Sequence, residues 1–228
     1  MDPHDHRLIN VGVELTREIP VDTISVNIDL QGTNKTRSEC TDEYNVLLKE
    51  VREALVGAGI PANEIKNDDF RITPHTEELY KKDEYGDYYI ATEVARGYEY
   101  TAGMSLKVPF ADLDDAKAIW TALTGCGEAV TFTIVFCLAD EDAAKCSLLT
   151  DAVTEGRRRA GILAAAAGAH VTGIHTIDYD YGSSIHQGGY LRATADFSSA
   201  PYGSAPDFNP SDEKIECSVR MQWCIELD

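Results

Sequence analysis

"DAVTEGRRRAGILAAAAGAHVTGIHTI", residues 151–177, decides the fold. Three arginines run into four alanines, and three readings compete: a phosphate-binding patch, a membrane segment, or an ordinary helix. At 100° per residue, Val153, Gly156, Ala160, Leu163 and Ala167 share one narrow stripe. Arg157 and Arg159 flank it at about 80° on either side, and Arg158 points away. The arginines therefore do not converge on one ligand. Glu155 has i, i+4 spacing to Arg159. The alanines favour helix at little entropic cost, and the small stripe lets the backbone approach a sheet closely. Beyond Gly168, Val171 to Tyr181 reads as a strand. The stretch is a long helix feeding a strand, too short and interrupted to cross a membrane.

Working outward, the same order occurs twice. Ile24, Val26, Ile28 and Leu30 alternate with polar residues as a strand. Thr36 and Glu39 have capping-box spacing, ahead of an amphipathic helix through Tyr44, Leu48, Val51, Leu55 and Ala58. Strands follow over 68–74 and 97–108, with a long connection between them. The second set is strand 130–138, helix 141–168, strand 171–181, a long connection, and strand 214–227. Each set is βαββ. Ile9 to Leu15 adds an N-terminal strand, and Asp112 caps a short linking helix over 112–125. The expected class is α+β: two βαββ repeats with mixed or antiparallel sheets and the helices on one face, in halves of about 8–110 and 128–228.

Composition narrows the function. Twenty basic and 39 acidic side chains give a net charge of −19. Such a surface repels phosphates and anionic lipid, so neither a nucleic-acid partner nor membrane insertion is expected. The opening "MDPHDHRLIN" has no positive n-region or apolar h-region, so a cytoplasmic location is expected, or a periplasmic one if the native chain carries a leader. Six cysteines show no CxxC pair and no zinc-like spacing. Cys217 and Cys224, seven apart on one strand, fall on opposite faces.

Catalytic motifs do not stand out. There is no G-x-S-x-G, Walker loop, H-E-x-x-H or dinucleotide fingerprint, and no cofactor, metal or catalytic set is expected. His4 and His6 lack a third ligand. The acidic runs "DEDAAK" and "DLDDAK" read as helix N-termini, where carboxylates complement the dipole. His75 has Glu77 or Glu78 within reach, and Cys224 lies near Arg220. These two are the residues an unrecognised hydrolase or redox site would use.

At this point a resemblance is visible. The stretch at 151–177 resembles the helix–strand signature of the SIMPL-domain family. "LVGAGIPANEIKNDDFRITPHTEELY" is similar to its other signature, and "RGYEYTAGMSLKV" and "EKIECSVRMQWCIEL" are similar to its two closing strands. The likeness covers roughly residues 8–228 and implies a single SIMPL-like domain over 1–228 with an α+β fold of βαββ units. It further implies a bacterial or archaeal protein, commonly exported, with no enzymatic activity general to the family. One periplasmic immunogenic member forms a large ring-like oligomer, and others are linked to oxidative-stress tolerance. The family name comes from an animal protein that binds a kinase in inflammatory signalling. No catalytic residues carry over. The opening residues do not read as the family's usual signal peptide, so a departure from the family is expected there, and the family's Pro-Asp step appears as Pro20-Val21-Asp22.

The two long connections hold the remaining signal. Tyr80, Tyr85, Tyr88 and Tyr89 lie in one; Tyr181, Tyr190 and Tyr202 lie in or beside the other. Tyrosine provides large contact area at low entropic cost and is enriched at interfaces. The expectation is a homo-oligomer or a protein partner held through these tyrosines. Residues 183–211 are expected to be dispensable for folding. The alternatives are the enzyme already described and a small-molecule site between the halves.

Overall fold

A computed structural model describes residues 7–82, 88–182, 193–194 and 205–227. Its long elements are β1 (Arg7–Ile19), β2 (Thr23–Asn34), α1 (Arg37–Gly57), β3 (Lys66–Lys82), β4 (Tyr88–Pro109), α2 (Leu113–Thr124), β5 (Val130–Cys137), α3 (Glu141–Ala166), β6 (Ala169–Tyr181) and β8 (Glu213–Leu227). A two-residue strand, β7 (Ala193–Thr194), completes the set. All pairings are antiparallel, in sheets of order β3-β4-β2-β5-β7 and β1-β8-β6. The α+β class stands, and so does the first βαββ set, β2-α1-β3-β4.

The helix starts follow their caps. Thr36 accepts from the Glu39 amide while the Glu39 carboxylate accepts from the Thr36 amide, a complete capping box. Asp112 and Asp140 cap α2 and α3 through the amides of Asp114 and Ala143.

Contacts divide the chain into two compact units. One comprises Asp22–Cys137 and Leu191–Asn209. Its core joins Ile24, Val26, Ile28 and Leu30 of β2 to the inward row of β4 and to Val130, Phe132, Ile134 and Phe136 of β5. Cys40, Leu47, Val51 and Leu55 of α1 and Ala116, Ile119 and Leu123 of α2 are also buried in this unit. Phe208 belongs here too: it is buried, with ring centroids 5.6 Å from Phe136 and 6.3 Å from Trp120. The expectation that all of 183–211 is dispensable is therefore corrected. Its end supplies a core aromatic, which one loop residue among serines and prolines does not announce.

The other unit comprises Met1–Val21, Leu138–Tyr190 and Pro210–Asp228. Here α3 packs on β1, β8 and β6. The strand flanking β8 is β1, whereas the sequence reading opened the second βαββ set with residues 130–138. That strand, β5, pairs with β2 instead. Alternation marks a strand with one buried face but carries no information about its partner, and β1 and β5 alternate equally well.

The buried row of α3 is Leu148, Ala152, Gly156, Ala160 and Ala164, a run at i, i+4. The expected stripe holds at Gly156 and Ala160. Leu163 and Ala167 are exposed instead, and Val153 is half-buried. An i, i+4 row drifts around a helix by about 40° per step, so a strictly axial stripe misplaces its ends. Gly156 sits where an added Cβ would strike the Met221 thioether. Ser147, Asp151 and Arg159 face β1: Arg17 donates to Ser147 Oγ at 3.2 Å and to Asp151, and Arg159 donates to the Gly12 carbonyl at 3.3 Å. Arg158 and Arg159 both grip Glu155, at 2.7 and 2.8 Å.

Candidate interaction surface

β3 and β4 are long, and they outrun their sheet. β2 leaves β4 at the Asn34–Tyr98 pair, but β3 and β4 continue together to the Lys82–Tyr88 pair. Residues 75–82 and 88–97 thus form a two-stranded ribbon, roughly 27 Å long at about 3.4 Å per residue. Sequence reading took 75–96 as a connection. Register shifts at His75/Thr76 and Leu79/Tyr80 break the two-residue period that would mark a strand.

The root of this arm is polar and specific. His75 Nδ1 lies 3.1 Å from Glu99 Oε2, and Thr73 donates to Glu99 Oε1 at 3.4 Å. Arg96 Nε donates to Glu77 Oε2 at 2.6 Å. The partner of His75 is thus Glu99, across the ribbon, while Glu77 serves Arg96. Opposite His75 lies Gly97, at φ 137°. A Cβ there would collide with the Asn34 carbonyl, so only glycine lets β4 turn out past the end of β2. Asn34 in turn donates to Glu43. Glu43 also accepts from the Tyr100 hydroxyl at 3.3 Å. Burial first, then the Glu43 charge, pushes the Tyr100 phenol well above its ordinary 10. Beside the root is a shallow cleft of about 480 Å³ whose lining includes Lys35, Glu39, His75, Arg96 and Tyr98.

The tyrosines separate accordingly. Tyr80, Tyr88 and Tyr89 lie on the arm, paired in register with Ile90, Lys82 and Lys81. Tyr85, Tyr190 and Tyr202 lie outside the described residues. Tyr181 ends β6. Its hydroxyl donates to the Lys145 carbonyl at 3.2 Å and its ring packs edge-on to Tyr179. It tethers β6 to the first turns of α3.

The thiols are all free among the described residues. Cys40 donates to the Tyr98 carbonyl at 3.5 Å, and burial pushes the thiols of Cys126 and Cys217 up. Cys224 is half-buried on the face opposite Cys217. No group of three metal-ligating side chains occurs among the described residues, and no helix there is long and apolar enough to cross a membrane.

A βαββ set, three capped helices and two antiparallel sheets define an α+β protein carrying a two-stranded arm. The family described as SIMPL, protein of unknown function (DUF541), matches residues 9–223, and the chain belongs to it. No curated protein matches the chain.

Proposed function

We propose that this protein works without catalysing a reaction, by self-assembly or by holding a protein partner, and that the β3–β4 arm is the contact element. One observation carries the reading: among the described residues, 75–82 and 88–97 pair with each other and with no third strand. An isolated two-stranded hairpin is marginally stable in water, whereas three strands or a packed face make it persist. A ribbon of this length with tyrosines at Tyr80, Tyr88 and Tyr89 gains that support when a second surface covers it.

Hydrogen exchange read against protein concentration tests this. Amides of 75–82 and 88–97 exchange quickly in dilute protein and become protected as concentration rises or a partner is added. Fast exchange at every concentration, in protein of assembled mass, contradicts it.

A second reading rests on the His75–Glu99 pair beside the 480 Å³ cleft. A histidine oriented by a carboxylate is equipped to move a proton. Turnover of any hydrolysable substrate that is lost in His75→Gln while native mass stays unchanged would favour this reading over the first.

A further inference from the structure

β6 is an edge strand, and its α3-facing row is unusually bare. Ile174, Ile177 and Tyr179 pair in register with the buried Trp223, Met221 and Val219, so they share the face on which α3 packs. Yet they are 42%, 43% and 59% exposed. Their neighbour Trp223 is 94% buried, and its Nε1 is the one buried side-chain nitrogen or oxygen among the described residues without a hydrogen-bond partner.

The helix supplies the other wall. Ser147, Asp151 and Arg159 face β1, and Lys145, over the Tyr181 ring, marks the opposite side. Steps of four along that opposite side give Leu149, Val153, Arg157 and Gly161. Arg157 lies about 18 Å along the axis from Lys145. That rise matches about five to six strand residues counted back from Tyr181, which brings Arg157 level with the stretch between Ile174 and Ile177. Arg158 and Arg159 are engaged with Glu155, whereas Arg157 makes no hydrogen bond or ion pair with any described residue. A Cβ at Gly161 would meet open space. The groove between β6 and α3 thus offers isoleucines, a tyrosine and a guanidinium that has no partner among the described residues.

A complementary occupant is aromatic and acidic. Residues 77–93, "EELYKKDEYGDYYIATE", hold four tyrosines and six carboxylates against two lysines, and they belong to the arm, with which no third strand pairs among the described residues. We infer that the groove between β6 and α3 receives the arm of a second copy of this chain. The inference rests on the assembly reading above and adds the receiving surface. The contact is head-to-tail: each copy gives an arm and accepts one, so copies add in series until the rotation closes.

Mixing two variants tests it. The first has 77–94 replaced by a two-residue turn and keeps its groove. The second carries Arg157→Glu and Ile177→Asp and keeps its arm. Lys49→Glu, an exposed charge reversal on α1, is the control. Circular dichroism confirms that each is folded. By light scattering, each of the two interface variants alone runs at the mass of its own single chain, 25.0 kDa for the groove variant and less for the arm-shortened one, and their mixture yields one species of the summed mass. The Lys49→Glu protein assembles as the unaltered chain does. A groove variant that assembles normally overturns the inference, and so does a mixture that stays monomeric although the unaltered chain assembles. In both cases the arm reading survives. An unaltered chain that is monomeric overturns the inference and leaves the arm to a protein partner; an arm-shortened chain that still assembles overturns both.

Discussion

Gly156 of α3 lies directly against Met221 of β8, so close that a Cβ on the glycine would occupy the place of the thioether. This contact sets the distance between the helix and its sheet. Gly156→Ala has a flexible neighbour to displace and recovers up to about 1 kcal/mol of helix propensity, so it is nearly neutral. Gly156→Val overpacks the site and costs about 1–3 kcal/mol. Met221→Ala costs less in the Gly156→Val background than it does alone, because the space it vacates takes the valine. Urea midpoints of the single and double variants measure the coupling; strictly additive losses would contradict the contact.

Phe208 closes the core of the other unit against Phe136 and Trp120. Phe208→Ala is expected to lower stability by about 3–5 kcal/mol. Deleting 183–204, which spares Phe208, costs far less. Thermal melts of the two proteins check the contrast, and equal losses would contradict it.

How much of this was legible in the sequence follows from what each element buries. Thr36, Asp112 and Asp140 announced their helices because a cap is a local feature. The strands β2, β5 and β8 were plain because each has one apolar face. The exchange of β1 for β5 beside β8 was not, since strand pairing is a long-range choice between equivalent patterns. The arm was illegible because its register shifts at His75/Thr76 and Leu79/Tyr80 break the period, so its residues read as a connection. His75 was visible as a candidate, but its partner Glu99 lies 24 positions away and depends on the β3–β4 register.

Glu155 is held at about 2, below its ordinary 4.5, by hydrogen bonds from Arg158 first and Arg159 next. A carboxylate with a depressed folded pKa stabilises the fold above its unfolded value, and that contribution is lost as pH falls through the folded one. The stability difference between the unaltered chain and Glu155→Gln is therefore present at pH 6 and closes between about pH 4.5 and about 2. Denaturant midpoints across that range test it. A difference that persists unchanged at pH 2 would contradict the pairing.

Tyr100 behaves in the opposite sense. Its phenol is raised in the folded state, so the unfolded chain ionises first and stability falls as pH climbs past about 10. Tyr100→Phe removes this component. The unaltered chain should lose stability more steeply than the variant above about pH 10; parallel profiles would contradict the buried contact with Glu43.

Gly97 should be irreplaceable at the arm's root. At φ 137°, Gly97→Ala brings backbone strain of about 1–3 kcal/mol together with a clash on the Asn34 carbonyl. Melting temperature is expected to fall, and hydrogen exchange in 75–82 and 88–97 to accelerate. Unchanged exchange there would mean that the arm does not depend on this turn.

The most direct measurement is native mass by light scattering, on the full chain and on a chain with 77–94 replaced by a short turn. The account predicts a discrete assembly, or a complex with a protein partner, for the full chain, and a folded monomer somewhat lighter than the 25.0 kDa full chain once the arm is gone. Identical masses for the two proteins, with no partner bound by either, would contradict it.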